Sequence, residues 1–337
     1  MSTEQFLKNL ESPTNPVDVV LDTDAYNEVD DRYAIAYLLL NKERLNTKAI
    51  YAAPFISTKV STVEEGMETS YNTILEILKL LNESVPVIKG SKSYLKNKVS
   101  HVERLYNNIL KRPFSEYKGT PSPDSENMYV DSPAARDLVS RAKNYSPQNP
   151  LYVVCIGAIT NIASAILMDK SIVDNIVVVW LGGKAWHHIN AKEFNLVQDY
   201  NAIRTVMNSG VPFVQLPCLG VVSHFKISKA EIDLWLKGTT PIADYLAEET
   251  IKCMQHWAQD DFWTTSLYDV AAVAWLLNDN QKFMNYRIEN VRLPNDIDGF
   301  YEDALPDKKM CYVFYLERDP LMKDLFDKLT KAKNYKK

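Results

Sequence analysis

The sequence predicts an α/β fold: a Rossmann-like, mostly parallel central sheet with helices on both faces and a more helical final third. Two observations carry the prediction. Runs of β-type residues alternate with runs of helix-type residues over much of the chain, as in sheets whose strands are joined by crossover helices. In addition, candidate strands such as LYVVCIG (151–157) and NIVVVWLGG (175–183) are apolar throughout, the pattern of strands buried on both faces.

Taken in order, VDVVLDTD (17–24) is a strand, followed by a helix from about Asp30 to Asn41. TKAIYAAPF (47–55) is the next strand, residues 63–84 form a long amphipathic helix, and VPVIKG (85–90) is a short strand ending at glycine. Residues 132–144 form a helix with Ser132 as N-cap and Pro133 at its first position. The strand 151–157 leads into the helix TNIASAILMD (160–169), where Thr160 and Asn161 are expected to cap the helix and are assigned no chemistry. Two glycines stop the strand 175–183, and the helix DYNAIRTVMNSG (199–210) ends at Gly210 before the strand VPFVQLP (211–217). Helices are expected at 228–238, 241–259 and 267–279, with a strand-like tail around KKMCYVFYL (308–316). The polar, Pro-rich stretch from Lys111 to Asn127 reads as a surface loop and a weak domain boundary, and the whole chain, 1–337, is expected to form one domain.

Composition excludes several function classes. The 337 residues carry 46% hydrophobic content, enough for a sizeable core. With 38 basic residues scattered among 43 acidic ones, for a net charge of −5, the chain has no general attraction to nucleic acid or to an anionic membrane. A small-molecule partner is expected. No apolar run reaches the roughly 20 residues needed to span a bilayer, and the first residues lack the apolar core of a secretory signal, so the cytoplasm is the expected compartment. Cys155, Cys218, Cys253 and Cys311 are far apart without paired spacing and read as reduced, buried small residues.

The stretch LDTDAYNEVDDRYAIAYLL (21–39) crowds Asp22, Asp24, Asp30 and Asp31 where a strand hands over to a helix. Asp22 and Asp24 leave the strand at its carboxyl end, where open α/β sheets bind ligands. Asp30 and Asp31 fall in the first helical turn, where amide dipoles stabilise negative charge, and this also offers an account with no ligand. It does not cover Asp24 facing them, and the one base in the stretch, Arg32, points onward along the helix. Carboxylates brought together raise one another's pKa, and a bound cation is the simpler remedy. Carboxylate oxygens with a backbone carbonyl make the hard-oxygen site that Ca²⁺ prefers. No G-x-G-x-x-G follows the first strand, which disfavours a dinucleotide-binding enzyme.

These residues resemble the inosine-uridine-preferring nucleoside hydrolases. The stretch above looks like their amino-terminal signature, a strand, Asp-x-Asp, a turn and Asp-Asp opening a helix, with two extra turn residues. VVCIGAITNIASAI (153–166), WLGGKAWHHINAKEFNLVQD (180–199) and TSLYDVAAVAWLL (265–277) resemble three later motifs of that family, in the same order. Together they cover roughly residues 17 to 277, and they imply a nucleoside hydrolase-type fold.

Carried over, the resemblance implies a calcium ion held by Asp24, Asp31, Asp269 and the Ile156 carbonyl. Asp24 would also be the general base for the metal-bound water, Asp30 would bind a ribose hydroxyl and Asp22 would stand behind them. Glu193 and Asn195 would hold the 5′ side of the sugar; the residues alone allow that they simply cap the next helix. An isolated carboxylate such as Asp269 on an otherwise apolar helix needs a partner or a metal. The chemistry stands without the analogy, because a cation-like sugar needs nearby negative charge, a positioned nucleophile and help for the departing base. Relatives are commonly dimers or tetramers, so a homo-oligomer is expected.

Three departures bear on the substrate. Tyr268 stands where the family places a histidine, and a phenol is a sluggish acid. The loop AAPFIS (52–57) lacks the asparagine that relatives place there for the sugar. Asn27 and Glu28 of the inserted turn either replace that contact or form an ordinary polar turn. His187, upstream of Glu193, is a candidate acid; Trp257 and Trp263 are candidates for stacking on a base, although core packing accounts for such residues equally well. The activity expected is hydrolysis of a ribonucleoside or related N-riboside to ribose and free base. The alternatives are a hydrolase for another ribosyl compound and a non-catalytic nucleoside- or sugar-binding protein.

Overall fold

The structure, a computed structural model, describes residues 1–95, 129–255, 258–295 and 299–331. The polar stretch expected as a loop at 111–127 lies outside the described residues. In chain order the elements are α1 (Thr3–Asn9), β1 (Val17–Thr23), α2 (Asp30–Leu40), β2 (Leu45–Ala52), α3 (Val63–Leu81), β3 (Val87–Lys89), α4 (Pro133–Ala142), β4 (Leu151–Cys155) and α5 (Thr160–Met168). There follow β5 (Ile176–Leu181), α6 (Phe194–Gln198), α7 (Tyr200–Asn208), β6 (Phe213–Leu216), β7 (Lys226–Ser228), α8 (Pro241–Gln255), β8 (Thr264–Ser266), α9 (Val270–Trp275), β9 (Met284–Asn290), β10 (Lys309–Leu316) and α10 (Arg318–Lys331).

Eight strands form one sheet in the order β3-β2-β1-β4-β5-β6-β10-β9. All neighbours are parallel except β9, which runs antiparallel to β10 at the edge. Side chains alternate between the faces: Val19 and Leu21 enter one core while Val20 enters the other, and on β5 Val177, Val179 and Leu181 oppose Ile176, Val178 and Trp180. Both faces are therefore dry, which is why the central strands read as unbroken apolar runs. Helices α2, α3, α8, α9 and α10 pack into one core, and α4, α5 and α7 into the other. No helix among the described residues is long and apolar enough to cross a membrane.

The strand order reverses at β1. From β1 the chain steps outward to β2 and β3, then returns to β4 on β1's other side. This leaves a crevice beyond the carboxyl ends of β1 and β4, the switch point at which doubly wound sheets bind ligands. In the register, Asp22 pairs with Tyr51 on β2 and with Cys155 on β4, so the residues after Thr23 and after Cys155 open onto that crevice together.

Most of the expected elements form within a few residues of their expected ends, including the Ser132 cap, whose Oγ accepts from the Ala135 N–H at 3.2 Å, with Pro133 at the first helical position. Two expectations need correction. The segment 228–238 is not one helix: after β7, a capping box between Ser228 and Glu231 starts a single turn, and Ile232–Leu236 continues as a wider π turn. Arg318 holds Glu231 in place, and Ile232 and Leu236 reach the core from that wider winding. The helix expected over 267–279 is shorter, α9, because Leu267 only leaves β8, Tyr268 and Asp269 form a turn, and the regular helix runs from Val270 to Trp275. Sequence patterning also passed over α1 and β9, whose apolar positions are sparse, and α10, where Leu321, Met322, Leu325, Phe326 and Leu329 recur at helical spacing and are buried. Replacing Ser132 by alanine is expected to cost about 1 kcal/mol, read as a lower urea midpoint with an unchanged slope.

Candidate active site

A cavity of about 530 Å³ opens at the switch point. Its lining includes Asp24, Asn27, Glu28, Asp30, Asp31, Ile156, Glu193, Asn195, Tyr268 and Asp269. Each residue arrives on a different part of the fold. Asp24 follows β1, and Asn27 and Glu28 lie in the turn after it, closed by the Asn27 N–H donating to the Asp24 carbonyl at 2.7 Å. Asp30 and Asp31 open α2, whose amino-terminal dipole favours their charge. Asp269 sits at the start of α9 and makes no capping bond to its own helix, so its carboxylate is available to the cavity. Helices α2 and α9 pack against each other, which brings the two ends of the acidic motif together across more than two hundred residues.

Asp30, Asp31 and Asp269 each present a carboxylate oxygen, and the three lie within 4.8 Å of one another, all buried. Asp24 lines the same cavity, and its buried Oδ2 has no hydrogen-bond partner. The backbone of Gly157 presses on this side chain: a Cβ there would lie 2.7 Å from Asp24 Oδ1, so only glycine leaves the carboxylate its place. Thr23 Oγ1 donates to Asp31 Oδ1 at 2.5 Å. Arg32 makes no ion pair with the cluster, because its guanidinium is drawn to Glu249 and Tyr245 on α8, and its charge only partly eases Asp31.

The electrostatics follow. Burial pushes Asp24, Asp30, Asp31 and Asp269 well above the usual carboxylate range, and their mutual repulsion adds to it. For Asp31 the Asp24 charge is the largest contribution after burial. A donor set made only of hard oxygens, with an unsatisfied buried carboxylate oxygen and no basic group among them, fits a divalent cation such as Ca²⁺, Mg²⁺ or Mn²⁺.

Behind the lining lies a second layer. Asp22 is fully buried and accepts from Asn161 Nδ2 at 2.8 Å, with Cys155 Sγ 3.4 Å away; burial raises its pKa to about 7 against those two bonds. Asn161 in turn accepts from the Ser91 N–H and Oγ, both at 2.8 Å. This corrects the expectation that Thr160 and Asn161 cap α5. Ile159 is the N-cap, and the two side chains turn inward because buried carboxylates need donors there: Thr160 donates to Asp199 Oδ2 at 2.8 Å.

Glu193 both caps α6 and lines the cavity. It accepts from the N–H groups of Asn195 (3.0 Å), Leu196 (3.3 Å) and Gly183 (2.8 Å), and burial outweighs these bonds to raise its pKa to about 7. Asn195 Nδ2 donates to the carbonyls of Ile156 and Leu181, each at 3.1 Å, which ties the ends of β4 and β5 together. The Tyr268 phenol, at the cavity wall, is pushed up to about 12, chiefly by burial. Lys59 donates to the Asn27 carbonyl and so fastens the inserted turn to the loop after β2.

The fold does not bring every candidate to the cavity. His187 is exposed and stacked on His188, with ring centres 4.7 Å apart. Trp263 is half-buried and packs against the hydrophobic core. Trp257 lies outside the described residues. Conversely, Lys192, Phe194, Cys218 and Leu219 line the cavity without having been singled out; Cys218 and Leu219 follow the carboxyl end of β6, the position that the strand-end rule marks.

The family model described as inosine-uridine preferring nucleoside hydrolase matches residues 19–305. The chain belongs to this nucleoside hydrolase family. Among solved structures it is similar to a plant nucleoside hydrolase, with a TM-score of 0.69 and 18% identity over 94% of this chain and 99% of that one. A purine-preferring ribonucleoside hydrolase from Gardnerella vaginalis gives 0.69 and 21% over 94% and 98%. The inosine-uridine preferring nucleoside hydrolase from Bacillus anthracis gives 0.65 and 17% over 94% and 99%. No curated protein sequence matches the chain. Nucleoside hydrolases are metal-dependent enzymes that cleave N-glycosidic bonds, and the protein is an N-glycosyl hydrolase of this family.

The raised carboxylates set the direction of pH dependence. Unfolded, these groups lose their protons near pH 4. Folded and free of metal, Asp22 and Glu193 hold theirs to about 7 and the Asp24 cluster stays above the usual range. Their contribution to stability is therefore full below pH 4 and lost as pH rises through 7. In chelator, the melting temperature is expected to be lower at pH 8 than at pH 5.5, and Ca²⁺ should raise it more at pH 8. Equal calcium stabilisation at both pH values would count against the cluster as the binding site.

Proposed function

We propose that the protein hydrolyses the N-glycosidic bond of a ribonucleoside or related N-riboside to ribose and free base, with calcium as its metal. Asp24, Asp31, Asp269 and the Ile156 carbonyl would hold the ion, with Asp30 beside it. The observation that carries this reading is the convergence of Asp30, Asp31 and Asp269 within 4.8 Å, next to an Asp24 oxygen left without a partner. An ion there would grip the vicinal sugar hydroxyls and lower the pKa of the attacking water, less strongly than zinc.

The chain's own groups account for the rest. Asp24 Oδ2 is free to take the proton from the water that attacks the anomeric carbon. The surrounding carboxylates stabilise the positive charge that develops on the sugar as the bond to the base lengthens. Asp30 accepts from a ribose hydroxyl. Asn195, whose amide nitrogen is engaged with two carbonyls, keeps its oxygen for a hydroxyl on the 5′ side, next to Glu193. Asn27 and Glu28 supply polar contacts from the inserted turn, on the side where the β2 loop carries no asparagine. Tyr268 keeps its proton throughout the neutral range, so it donates a hydrogen bond to the leaving base without ionising.

Ribose release from a panel of purine and pyrimidine nucleosides tests the reading. Asp24→Asn is expected to lower kcat by about 10²- to 10⁴-fold, and chelation should abolish turnover until Ca²⁺ is restored. Undiminished release by Asp24→Asn, or by the chelated protein, would refute it. For Tyr268→Phe the expected loss is about tenfold in kcat with KM little changed, as for one hydrogen bond made mainly in the transition state.

A further inference from the structure

Lys192 is the one basic side chain among the described residues that line the cavity, whose other charged groups are all carboxylates. A flexible ammonium in such surroundings would be expected to fold onto a carboxylate, and Glu193 is its neighbour in sequence. It does not: Lys192 makes no side-chain hydrogen bond or ion pair among the described residues. Nearby basic groups are engaged, Arg32 with Glu249, Lys59 with the Asn27 carbonyl and Lys184 with Asn190.

The backbone explains how the ammonium is held away. The Lys192 stem lies against Gly299, where a Cβ would come within 2.6 Å of Lys192 Cγ and 2.7 Å of Cε. Gly299 has a φ of +76°, which L side chains rarely adopt, so the groove for the stem depends on glycine. The Ala191 N–H donates to the Gly299 carbonyl at 2.6 Å, and the Lys192 N–H donates to Asn190 Oδ1 at 3.0 Å, fixing the backbone on either side. The result is a positioned, unpaired cation on the wall that also carries Glu193 and Phe194.

We propose that Lys192 selects N-ribosides carrying an anionic oxyacid group, which pairs with its ammonium when the substrate is seated. The inference rests on reading the cavity as an N-riboside site and adds the charge of the substrate to it. Two sources supply that chemistry, a phosphate on the 5′ oxygen and a carboxylate on the base. Because Lys192 is exposed, the pair is screened by solvent and its effect on binding is modest.

The test compares uridine with uridine 5′-monophosphate and with orotidine, which adds a carboxylate to the same base. For the wild-type protein loaded with Ca²⁺, at least one anionic member should show a KM about two- to fivefold below that of uridine, an advantage that shrinks with added salt. Lys192→Met should raise KM for the anionic member more than for uridine and so erase the advantage, and Lys192→Arg should keep it. Which anionic member gains identifies the source. The proposal is overturned if uridine is used as well as both, or if Lys192→Met shifts neutral and anionic substrates alike, as a general balancing charge would. Should no compound be split into free base and ribose or ribose 5-phosphate, the proposed activity fails on its own, and calorimetric titration of the same three compounds into wild-type and Lys192→Met protein still decides the anion preference.

Discussion

Everything in this molecule is organised around the cost of holding several carboxylates together in a dry place. Asp24, Asp30, Asp31 and Asp269 are each at most 4% exposed, and among the described residues none of them forms an ion pair with a basic side chain. Such an arrangement is unfavourable by itself, as their raised pKa directions show, and it persists because the surrounding structure leaves the side chains nowhere else to go. Gly157 presses on Asp24, Thr23 bonds Asp31, and the amino-terminal turn of α2 fixes Asp30 and Asp31. A divalent cation seated there would relieve that repulsion, which is why the donor set fits one.

The parallel sheet makes the arrangement possible. Its two faces are sealed by apolar helices, so the polar business of the protein is confined to the strand ends. The reversal of strand order at β1 opens space at that edge. Helices α2 and α9 lie in the same core, and their amino termini deliver Asp30, Asp31 and Asp269 to one point. The buried Asp22–Asn161–Ser91 chain then braces β1 against α5 and the segment after β3. These bonds lie out of reach of the cavity but fix the backbone from which Asp24 departs.

The cavity also differs from a minimal metal and sugar site in ways that bear on the substrate. The inserted turn is fastened by Lys59, Tyr268 keeps its proton at neutral pH, and Lys192 is held apart from the carboxylates beside it. Glu28, Tyr268 and Lys192 all line the cavity that the acidic cluster also lines. The plant, Gardnerella vaginalis and Bacillus anthracis structures share the fold at 17–21% identity.

Local pattern was enough for the strands and helices that frame the site, because burial on two faces writes an apolar run and an amphipathic helix writes a 3.6-residue period. It was also enough for the acidic residues, since Asp22, Asp24, Asp30 and Asp31 are close in sequence and Asp269 stands out on an apolar helix. It failed where the cause is a distant partner. Thr160 and Asn161 read as caps because a helix starts there, yet they turn toward Asp199 and Asp22, which lie 39 and 139 positions away. The segment 228–238 reads as a helix until Arg318 and the core impose the capping box and the wider turn. His187 and Trp263 have suitable chemistry and a suitable neighbourhood in sequence, but the fold leaves one in solvent and packs the other, half-buried, against the core. Sequence by itself determined which residue types the site contains and which elements carry them; only the tertiary structure decided which side chains meet, because a carboxylate, a lysine or an aromatic ring is placed by packing against residues hundreds of positions away.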